Sequence, residues 1–487
     1  MQVISFSFLI FLPIVVFLYA VLPQRVRYLW LLAVSIFFYL SAGPVYGIFL
    51  LLSILMTYTA ARGMEHRPGS KKMILVLCLI LNLGVLGVLK YAAFFCSSAV
   101  GILSLFHVKV SDPSIQLLLP VGISFYMFQA LGYVIDVYRG EIAAEKNILR
   151  YALFVSFFPN VLSGPIERAG HMLPQFNNPP QFSYDNMRLG LLRMLWGYFL
   201  KMVLADRIAI IVNQVYASPG NYPGTVLLIT AILYTFQIYC DFGGYTSIAI
   251  GAAKICGFEL TENFDSPYLA ESIAQFWRRW HRSLSFWFRD YLYFPLGGNR
   301  RGNVRKYINI MIVFLVSGLW HGAAWTFVIW GGLHGLYQII GHILMPLRNR
   351  LVELFHVDRK SFSHRLLKVL ITFLLVTLAW VFFRVKSLSG AVLILTRMWH
   401  FTPSVLTDGT LYHLGLDRPN FLLMTAGLLL LIWTDICNYR KVRIAERILE
   451  QGIWLRFLIG IGAVLVILIC GIWGPGYDAS SFIYYKF

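Results

Sequence analysis

Long apolar runs separated by short polar segments follow one another along most of the chain. A helix needs about 20 mostly apolar residues to cross a bilayer core, and each run is long enough to cross or enter one. The runs are residues 2–22, 28–42, 46–61, 73–106, 116–136, 149–163, 189–217, 223–252, 308–345, 366–384, 420–436 and 454–473. Because some are short and others overlong, the pattern predicts about 11 transmembrane helices. The predicted fold class is an all-α polytopic membrane protein with additional re-entrant or interfacial helices.

Composition agrees with this fold class and narrows the choice of partners. Hydrophobic residues make up 58% of the chain and charged residues 13%, against roughly 25% charged residues in soluble domains. The net charge of +19 indicates membrane orientation and anionic lipid rather than nucleic acid in a chain this apolar. All six cysteines lie in or beside apolar runs without close pairing, so we expect neither a metal centre nor disulfides.

Clusters of basic residues set the expected orientation. They follow the first and third apolar runs and precede the last. Their members are Arg25, Arg27, Arg62, Arg67, Lys71, Lys72, Arg440, Lys441, Arg443 and Arg447. Basic loops stay in the cytoplasm, so both termini are expected outside it, including the tail 474–487. The first run lacks a basic segment before it and is expected to be a membrane anchor rather than a signal peptide.

The segment 307–347 contains no acidic or basic residue except histidine. As one helix it would extend about 60 Å, twice the thickness of a bilayer core. Basic segments flank it on both sides, which favours a chain that enters from the cytoplasm, breaks and returns. Gly318 and Gly322 in "SGLWHGAAW" permit such a break. Irregular backbone at that depth needs protein or a water-filled cavity around it, and His321 is expected at the bottom of that cavity.

A second unusual segment, 276–306, carries eight basic residues and the single acid Asp290, interleaved with aromatic side chains. This composition is typical of a segment partly sunk in the cytoplasmic interface, with arginines on phosphate-bearing groups. His281 lies within it. The candidates for binding phosphate-bearing groups are Arg278, Arg279, Arg282, Arg300 and Arg301.

Histidine inside a membrane must satisfy a donor and an acceptor in a dry setting, so it is a functional candidate. We predict a chemical role for His321, with His281 as a second imidazole. His334 continues a helix in "GGLH" and is expected to serve packing. Three roles are open for Asp241, which lies in an apolar run beside glycines: lining the cavity, orienting an imidazole or capping a helix. Trp320 and Asp290 are further expected cavity-lining residues.

Other common catalytic signatures are missing. The sequence has no G-x-S-x-G, no G-x-x-x-x-G-K-[ST] and no H-E-x-x-H. This disfavours a serine hydrolase, a P-loop motor and a metalloprotease. A transporter or flippase is the alternative of another class, because broken helices and cavity-lining polar groups also mark substrate pathways. Against it, no pair of matching broken segments occurs in the two halves of the chain.

Five segments together resemble the membrane-bound O-acyltransferase family, in particular its bacterial branch of alginate and peptidoglycan O-acetyltransferase components. They are "LPVGISFYMFQALGYVIDVYRG" (119–140), "LSGPIERAG" (162–170), "YCDFGGYTSIAIGAAKICGFELTENFDSPY" (239–268), "FWRRWHRSLSFWFRDYLYFPLGGNRRG" (276–302) and "SGLWHGAAWTFVIWGGLHG" (317–335). The resemblance covers roughly 115–340 of a chain expected to form one integral membrane domain, 1–487. It implies helices around a central tunnel.

The resemblance also assigns expected roles. His321 falls on the family's catalytic histidine and His281 on its second histidine. The implied donor is acyl-CoA, most simply acetyl-CoA, with a carrier-protein thioester as the alternative if the chain resembles the D-alanyl branch that modifies teichoic acid. The implied partners are membrane lipid, an extracytoplasmic SGNH-type acetyltransferase or esterase-like protein, and a polysaccharide acceptor. The implied location is the inner membrane of a bacterial cell.

The tail "SSFIYYKF" (480–487) resembles the ending of this branch, although Tyr485 and Lys486 replace Phe and Gln. In related systems a tyrosine at this place is proposed to receive the acyl group before a partner enzyme takes it onward. By position this acyl relay would be Tyr484. The alternative is an aromatic anchor at the outer membrane interface.

Overall fold

A computed structural model describes residues 1–108, 117–474 and 483, which are helical without any β-strand. The α-helices are α1 Phe6–Val21, α2 Gln24–Leu40, α3 Tyr46–His66, α4 Lys71–Leu86, α5 Ala92–Leu105, α6 Ile123–Arg139, α7 Ile148–Ser156, α8 Ala169–Asn177, α9 Tyr184–Tyr198, α10 Asp206–Ala217, α11 Gly224–Ile255, α12 Ile273–Arg279, α13 Arg282–Phe288, α14 Gly302–His321, α15 Trp325–Ile343, α16 Met345–Leu354, α17 Phe362–Arg384, α18 Leu388–Arg397, α19 Arg418–Tyr439, α20 Ile444–Leu449 and α21 Ile453–Cys470. The predicted all-α class is confirmed.

Every apolar run of the sequence contains a helix, but one run is much less helical than expected. In 149–163 the helix α7 has only 9 residues and ends at Ser156. At 1.5 Å per residue it is about 14 Å long, too short to cross a bilayer core. Pro159, Gly164 and Pro165 follow in the sequence, and these residues do not continue a helix. Of the two readings for this run, crossing or only entering the bilayer, α7 is long enough only for the second.

Among the described residues, six helices are long and apolar enough to cross a membrane, and seven if the bent pair α15 and α16 counts as one span. Shorter apolar helices, such as α1 with 16 residues, accompany them. The chain is therefore a polytopic membrane protein by length and composition, whereas the total of about 11 spans stays a prediction.

The structure contains two compact units, of which the first comprises Met1–Gly190 and Ala249–Thr261. Its core includes the rings of Phe8, Phe38 and Phe158, whose centroids lie 5.9 to 6.4 Å apart. A buried hydrogen bond joins two of its helices: the hydroxyl of Tyr151 in α7 donates to Thr57 Oγ1 in α3 at 2.7 Å.

The second unit comprises Leu191–Ile248 and Glu262–Lys486. The helices α14 and α15 pack against each other as a hairpin in this unit. The hairpin needs glycine at its crossing: a Cβ on Gly318 would lie 2.3 Å from the carbonyl oxygen of Phe327, and one on Gly331 would lie 2.2 Å from that of Phe314. No side chain fits at those distances, so the two glycines allow the backbones to approach closely.

A π-helical segment, Phe199–Ala205, joins α9 to α10 without interrupting the helix. Such segments are rare and frequent at functional sites. This one places Lys201 in the interior of the second unit, with 1% of the residue exposed. The single membrane domain 1–487 stays a prediction.

Candidate active site

His321 is the last residue of α14, at the turn of the hairpin. The helix ends there, Gly322 adopts extended backbone, and α15 begins at Trp325. The predicted break between Gly318 and Ala324 is therefore confirmed. Because α14 has 20 residues and α15 has 19, each arm is about 30 Å long, comparable to a bilayer core, and the hairpin is deeper than a short re-entrant loop.

The glycine after His321 is required by packing. A Cβ on Gly322 would lie 2.3 Å from the ring of Phe327, so a larger residue would force the turn open. The imidazole of His321 is buried, with ring centroids of Trp320, Trp330 and Phe383 at 4.9, 5.0 and 5.4 Å. The aromatic wall excludes water from the imidazole.

His281 lies close to His321 although 40 residues separate them in the sequence. The centroids of the two imidazole rings are 6.5 Å apart. Trp320 contacts both rings, at 6.0 Å from His281 and 4.9 Å from His321. Phe242 of α11 lies 4.7 Å from His281 on another side. The structure thus brings together the two histidines and the tryptophan that the sequence singles out.

His281 precedes α13 and has left-handed backbone, with φ of +42°. This conformation is uncommon for a residue other than glycine and costs of order 1–3 kcal/mol, so it persists only where neighbours enforce it. Such outliers cluster at active sites, which supports a functional place for His281. Burial lowers the pKa of His281, which lies outside the candidate spans, to about 3, so the ring is neutral at physiological pH.

Asn263 holds the backbone directly after His281, and the sequence did not single it out. Its side-chain oxygen accepts a hydrogen bond from the hydroxyl of Ser283 at 2.7 Å and from the Ser283 N–H at 3.3 Å. Its carbonyl accepts from the N–H of Arg282 at 3.0 Å. Asn263 lies within the quoted segment 239–268, but nothing in that pattern distinguishes it from a loop residue.

His334 occupies a different environment in the middle of α15. Its Nδ1 accepts a hydrogen bond from the indole N–H of Trp277 at 3.2 Å. The rings of Trp277 and Trp330 each lie 5.1 Å away. These contacts agree with the expected packing role.

Asp241 lies far from either end of the 32-residue helix α11. The proposal that it caps a helix is therefore wrong, because a cap lies at a helix terminus. Its Oδ1 lies 2.7 Å from Nζ of Lys201, which lies 2.7 Å from the carboxylate of Asp206 as well. Its Oδ2 accepts a hydrogen bond from the backbone N–H of Ile483 at 2.8 Å. Lys201 is a second residue that the sequence analysis missed.

Two further predicted residues differ in their surroundings. Trp320 is buried in contact with both histidine rings but lines neither pocket, so its cavity-lining role stays a prediction. Asp290 lies in the π-helical segment Arg289–Tyr293, where it receives two hydrogen bonds from Arg289 at 2.7 and 3.0 Å. The carboxylate of Asp290 is thus engaged by its chain neighbour. Tyr484, the predicted relay, lies outside the described residues.

A pocket of about 270 Å³ opens beside this site in the second unit. Its lining includes Phe264, whose ring lies 5.1 Å from Phe242, the residue that contacts His281. The pocket is lined by Arg193, Trp196, Leu200, Tyr239, Gly243, Thr246, Ser247, Glu262, Phe264, Asp265, Ser266, Arg282, Asp435, Asn438 and Lys441. It therefore joins basic side chains to the aromatic surroundings of His281.

Of the five arginines predicted to bind phosphate-bearing groups, only one lines this pocket. Arg282 lines it, and within the described part of the chain neither Arg282 nor Lys441 has a carboxylate at ion-pair distance. Arg193 pairs with Glu262 at 2.6 Å. The other predicted arginines do not line the pocket: Arg279 pairs with Asp265, and the remaining three are exposed. Those three are Arg278, Arg300 and Arg301.

A larger open cavity, of about 900 Å³, belongs to the first unit and is lined by segments of 142–150 and 169–177. Neither candidate histidine lines this cavity or the smaller pocket. Residues 1–108, 117–474 and 483 hold no group of three His, Cys, Asp or Glu side chains that fits a metal ion. The arrangement within those residues is that of two buried imidazoles near a pocket that is lined by three basic and three acidic side chains.

A helical membrane protein with such an imidazole pair belongs to the class of membrane-embedded enzymes whose site is built between helices. Comparison with known proteins makes the class specific. The MBOAT, membrane-bound O-acyltransferase, family matches residues 141–385. The chain belongs to this family and is an O-acyltransferase. The matched range contains both site histidines and Asp241, and it starts and ends later than the predicted core of 115–340.

Individual relatives extend the likeness beyond the family range. The chain is 38% identical over 402 residues to a probable alginate O-acetylase AlgI of Azotobacter vinelandii, covering 82% of this chain and 78% of that protein. It is 36% identical over 424 residues to a peptidoglycan O-acetyltransferase of Helicobacter pylori, covering 81% and 77%. A teichoic acid D-alanyltransferase of Bacillus subtilis is 27% identical over 293 residues, covering 54% and 74%.

Proposed function

We propose that the protein transfers an acetyl group from acetyl-CoA in the cytoplasm to the outer side of a bacterial inner membrane, where a polysaccharide of the alginate or peptidoglycan kind is O-acetylated. The observation that carries the choice of acyl group and acceptor is the likeness to an alginate O-acetylase and a peptidoglycan O-acetyltransferase over about four fifths of the chain. The D-alanyl relative is less similar and covers 54% of the chain.

His321 acts as the general base in this proposal. A neutral imidazole accepts the proton of an attacking hydroxyl, a contribution typically worth 10²–10⁴-fold in rate. Its place at a helix end, where a turn begins, gives a substrate access that a mid-helix side chain does not have. The buried aromatic wall keeps water, a competing nucleophile, away from the thioester.

The chemical step balances as an acyl transfer. The hydroxyl oxygen attacks the thioester carbonyl, the C–S bond breaks and a C–O ester bond forms. The hydroxyl proton passes to the imidazole of His321 and from there to the leaving thiolate of CoA. His281, whose ring is 6.5 Å from that of His321, is proposed to stabilise the negative charge that develops on the thioester oxygen.

The pocket of the second unit is proposed to receive the phosphate-bearing part of the donor through Arg282 and Lys441. Arg282 directly follows His281 in the sequence, so a cation of the pocket is next to a residue of the acyl-transfer site. Phosphate groups are bound well by guanidinium and ammonium groups. Lys441 belongs to the basic cluster that the positive-inside rule assigns to the cytoplasm, the side from which CoA would come.

Tyr484 is proposed to be the first acceptor of the acetyl group. Support comes from its chain neighbour, because the backbone N–H of Ile483 is hydrogen-bonded to Asp241, and Phe242, the next residue on α11, contacts His281 at 4.7 Å. An SGNH-type or esterase-like partner outside the cytoplasm would then remove the acetyl group from the tyrosine ester and regenerate the phenol. In this scheme the acetyl group crosses the membrane and CoA does not.

D-alanine transfer from a charged carrier protein to teichoic acid is the second candidate, favoured by the 27% identity to a D-alanyltransferase over 293 residues. In that case the exposed arginines of the segment 276–306 would contact an acidic carrier surface. Transport is set aside, because the family of the chain is one of acyltransferases.

The donor distinguishes these candidates. Membranes containing the full chain are incubated with radiolabelled acetyl-CoA in one experiment and with a carrier protein charged with radiolabelled D-alanine in another. The radioactivity bound to the chain is measured in both. We expect label from acetyl-CoA alone, and no label from it in His321→Ala at equal membrane level. Label from the carrier alone would replace acetyl with D-alanyl in the proposal. Normal labelling in His321→Ala would contradict the catalytic role of His321.

A further inference from the structure

A buried ion pair in the second unit has no role in the acyl-transfer steps above. Lys201 and Asp241 have side-chain exposures of 1% and 3%, and their charged atoms are 2.7 Å apart. Burying charges is costly, and such groups are kept chiefly where position or specificity requires them. The π-helical segment that carries Lys201 is itself a feature frequent at functional sites.

The chain that leaves the last helix is bound to the same π-helical segment. The N–H of Ile472 donates to the carbonyl oxygen of Met202 at 2.9 Å. The guanidinium of Arg207, just after the segment, donates to the carbonyl oxygen of Cys470 at 2.7 Å. These bonds hold Cys470 and Ile472 against the segment that carries Lys201.

Farther along, Ile483 meets the ion pair itself. Its backbone N–H donates to Oδ2 of Asp241 at 2.8 Å, while Oδ1 of the same carboxylate faces Lys201. A hydrogen bond to an ionised carboxylate is roughly twice as strong as one between neutral groups. Ile483 makes this contact through its backbone N–H and not through its side chain.

We propose that the Lys201–Asp241 pair is an anchor that holds the C-terminal segment at Ile483, the chain neighbour of the proposed acceptor Tyr484. Lys201 and Asp241 are positioning residues, because they act through the tail and do not take part in the acyl-transfer steps. The inference rests on the acyl-relay role of Tyr484 in the proposed function. Asp206, the first residue of α10, also pairs with Lys201.

The sharpest test changes the tail and leaves the buried pair intact. Ile483→Pro removes the backbone N–H, whereas Ile483→Val keeps it with a similar side chain. Losing a charge-assisted hydrogen bond is expected to slow acetyl transfer to Tyr484 by about ten- to a hundredfold in Ile483→Pro. The KM for acetyl-CoA should stay unchanged, and Ile483→Val should behave as the unsubstituted chain. Equal transfer rates in Ile483→Pro and Ile483→Val would overturn the proposal.

A second measurement tests the contact between Ile483 and Asp241 without relying on acetylation. Hydrogen–deuterium exchange of the Ile483 amide is followed by fragmentation mass spectrometry on the full chain in detergent micelles. We expect a protected amide that exchanges at least about tenfold faster in Asp241→Ala, where Lys201 still pairs with Asp206. Glu271→Gln is the matched control, because Glu271 is also bound by two basic side chains, at 3.0 and 2.5 Å.

The two measurements also separate this proposal from the proposed function. An Ile483 amide that exchanges equally fast in the unsubstituted chain and in Asp241→Ala overturns the anchor, whatever the acyl acceptor is. If Tyr484→Phe still forms the normal acetylated product, the relay fails, and with it the purpose assigned to the anchor, while protection of the amide shows that the contact itself exists. Loss of all transfer in Tyr484→Phe supports both.

Discussion

The α14–α15 hairpin presents two histidines in opposite circumstances, although both are buried. His321 ends its helix beside a glycine turn and lies within 6.5 Å of a second imidazole. His334 lies inside a helix and is bonded to the indole N–H of Trp277. Burial alone therefore does not identify a catalytic histidine. A place at a chain break, with a second imidazole and a pocket nearby, distinguishes the candidate base from the packing residue.

The largest expected effect is on His321. Replacing it with alanine should lower the rate of acetyl transfer by roughly 10²–10⁴-fold, because the general base is lost. Transfer is measured with labelled acetyl-CoA, and membrane level and thermal stability are checked in parallel. If His321→Ala transfers acetyl groups at a rate within about threefold of the unsubstituted chain, His321 is not the general base and does not differ from His334 in this respect.

The second largest loss of activity is expected when His281 is replaced. His281→Asn keeps a side chain that tolerates left-handed backbone, so the fold is expected to survive while the imidazole is lost. Removing one group that stabilises the developing oxyanion typically costs about 10²–10³ in kcat. Normal kcat with an intact fold would show that His281 serves structure alone. Unfolding in His281→Asn but not in His281→Gly would point to backbone strain as its main contribution.

The pocket predicts which arginine affects the KM for the donor. Arg282→Gln is expected to raise the KM for acetyl-CoA about tenfold, with kcat changed less, because a phosphate contact is lost. Arg300→Gln is the matched control, since Arg300 is exposed and does not line the pocket. Steady-state kinetics in proteoliposomes measures both. Equal KM values for the two variants would place the donor phosphates elsewhere.

The smallest effect on chemistry is expected at His334. His334→Leu leaves the Trp277 indole N–H without its acceptor, which should cost about 1–3 kcal/mol of stability. Activity per folded molecule should change little. Trp277→Phe combined with His334→Leu removes both partners and should recover most of the loss in melting temperature. A fall in kcat comparable to that of His321→Ala would give His334 a catalytic role.

Much of the fold follows from hydropathy, because a bilayer requires long apolar helices whose backbone bonds are internal. The break at Gly322 was predictable for a related reason, since an uncharged segment twice the bilayer thickness has to turn. The short α7 was not, because periodicity and hydropathy do not register the prolines that follow it.

The missed residues share a physical cause. Asn263 and Lys201 act through partners that are distant in sequence or placed by unusual backbone: the left-handed conformation at His281 and the π-helical segment at Phe199–Ala205. Neither feature has a local pattern in the sequence. The pocket likewise combines Arg282 with Lys441, 159 positions later. Proximity of that kind comes from packing between helices and is not visible in composition.

The central claim is that His321 promotes transfer of an acetyl group to the C-terminal tail. Its most direct test is a single turnover with isotope-labelled acetyl-CoA, followed by mass spectrometry of the C-terminal peptide. The account predicts one labelled acetyl group on Tyr484, retained in Tyr485→Phe and absent in both Tyr484→Phe and His321→Ala. Labelled product formed at a normal rate in Tyr484→Phe, or tail acetylation that persists in His321→Ala, would contradict it.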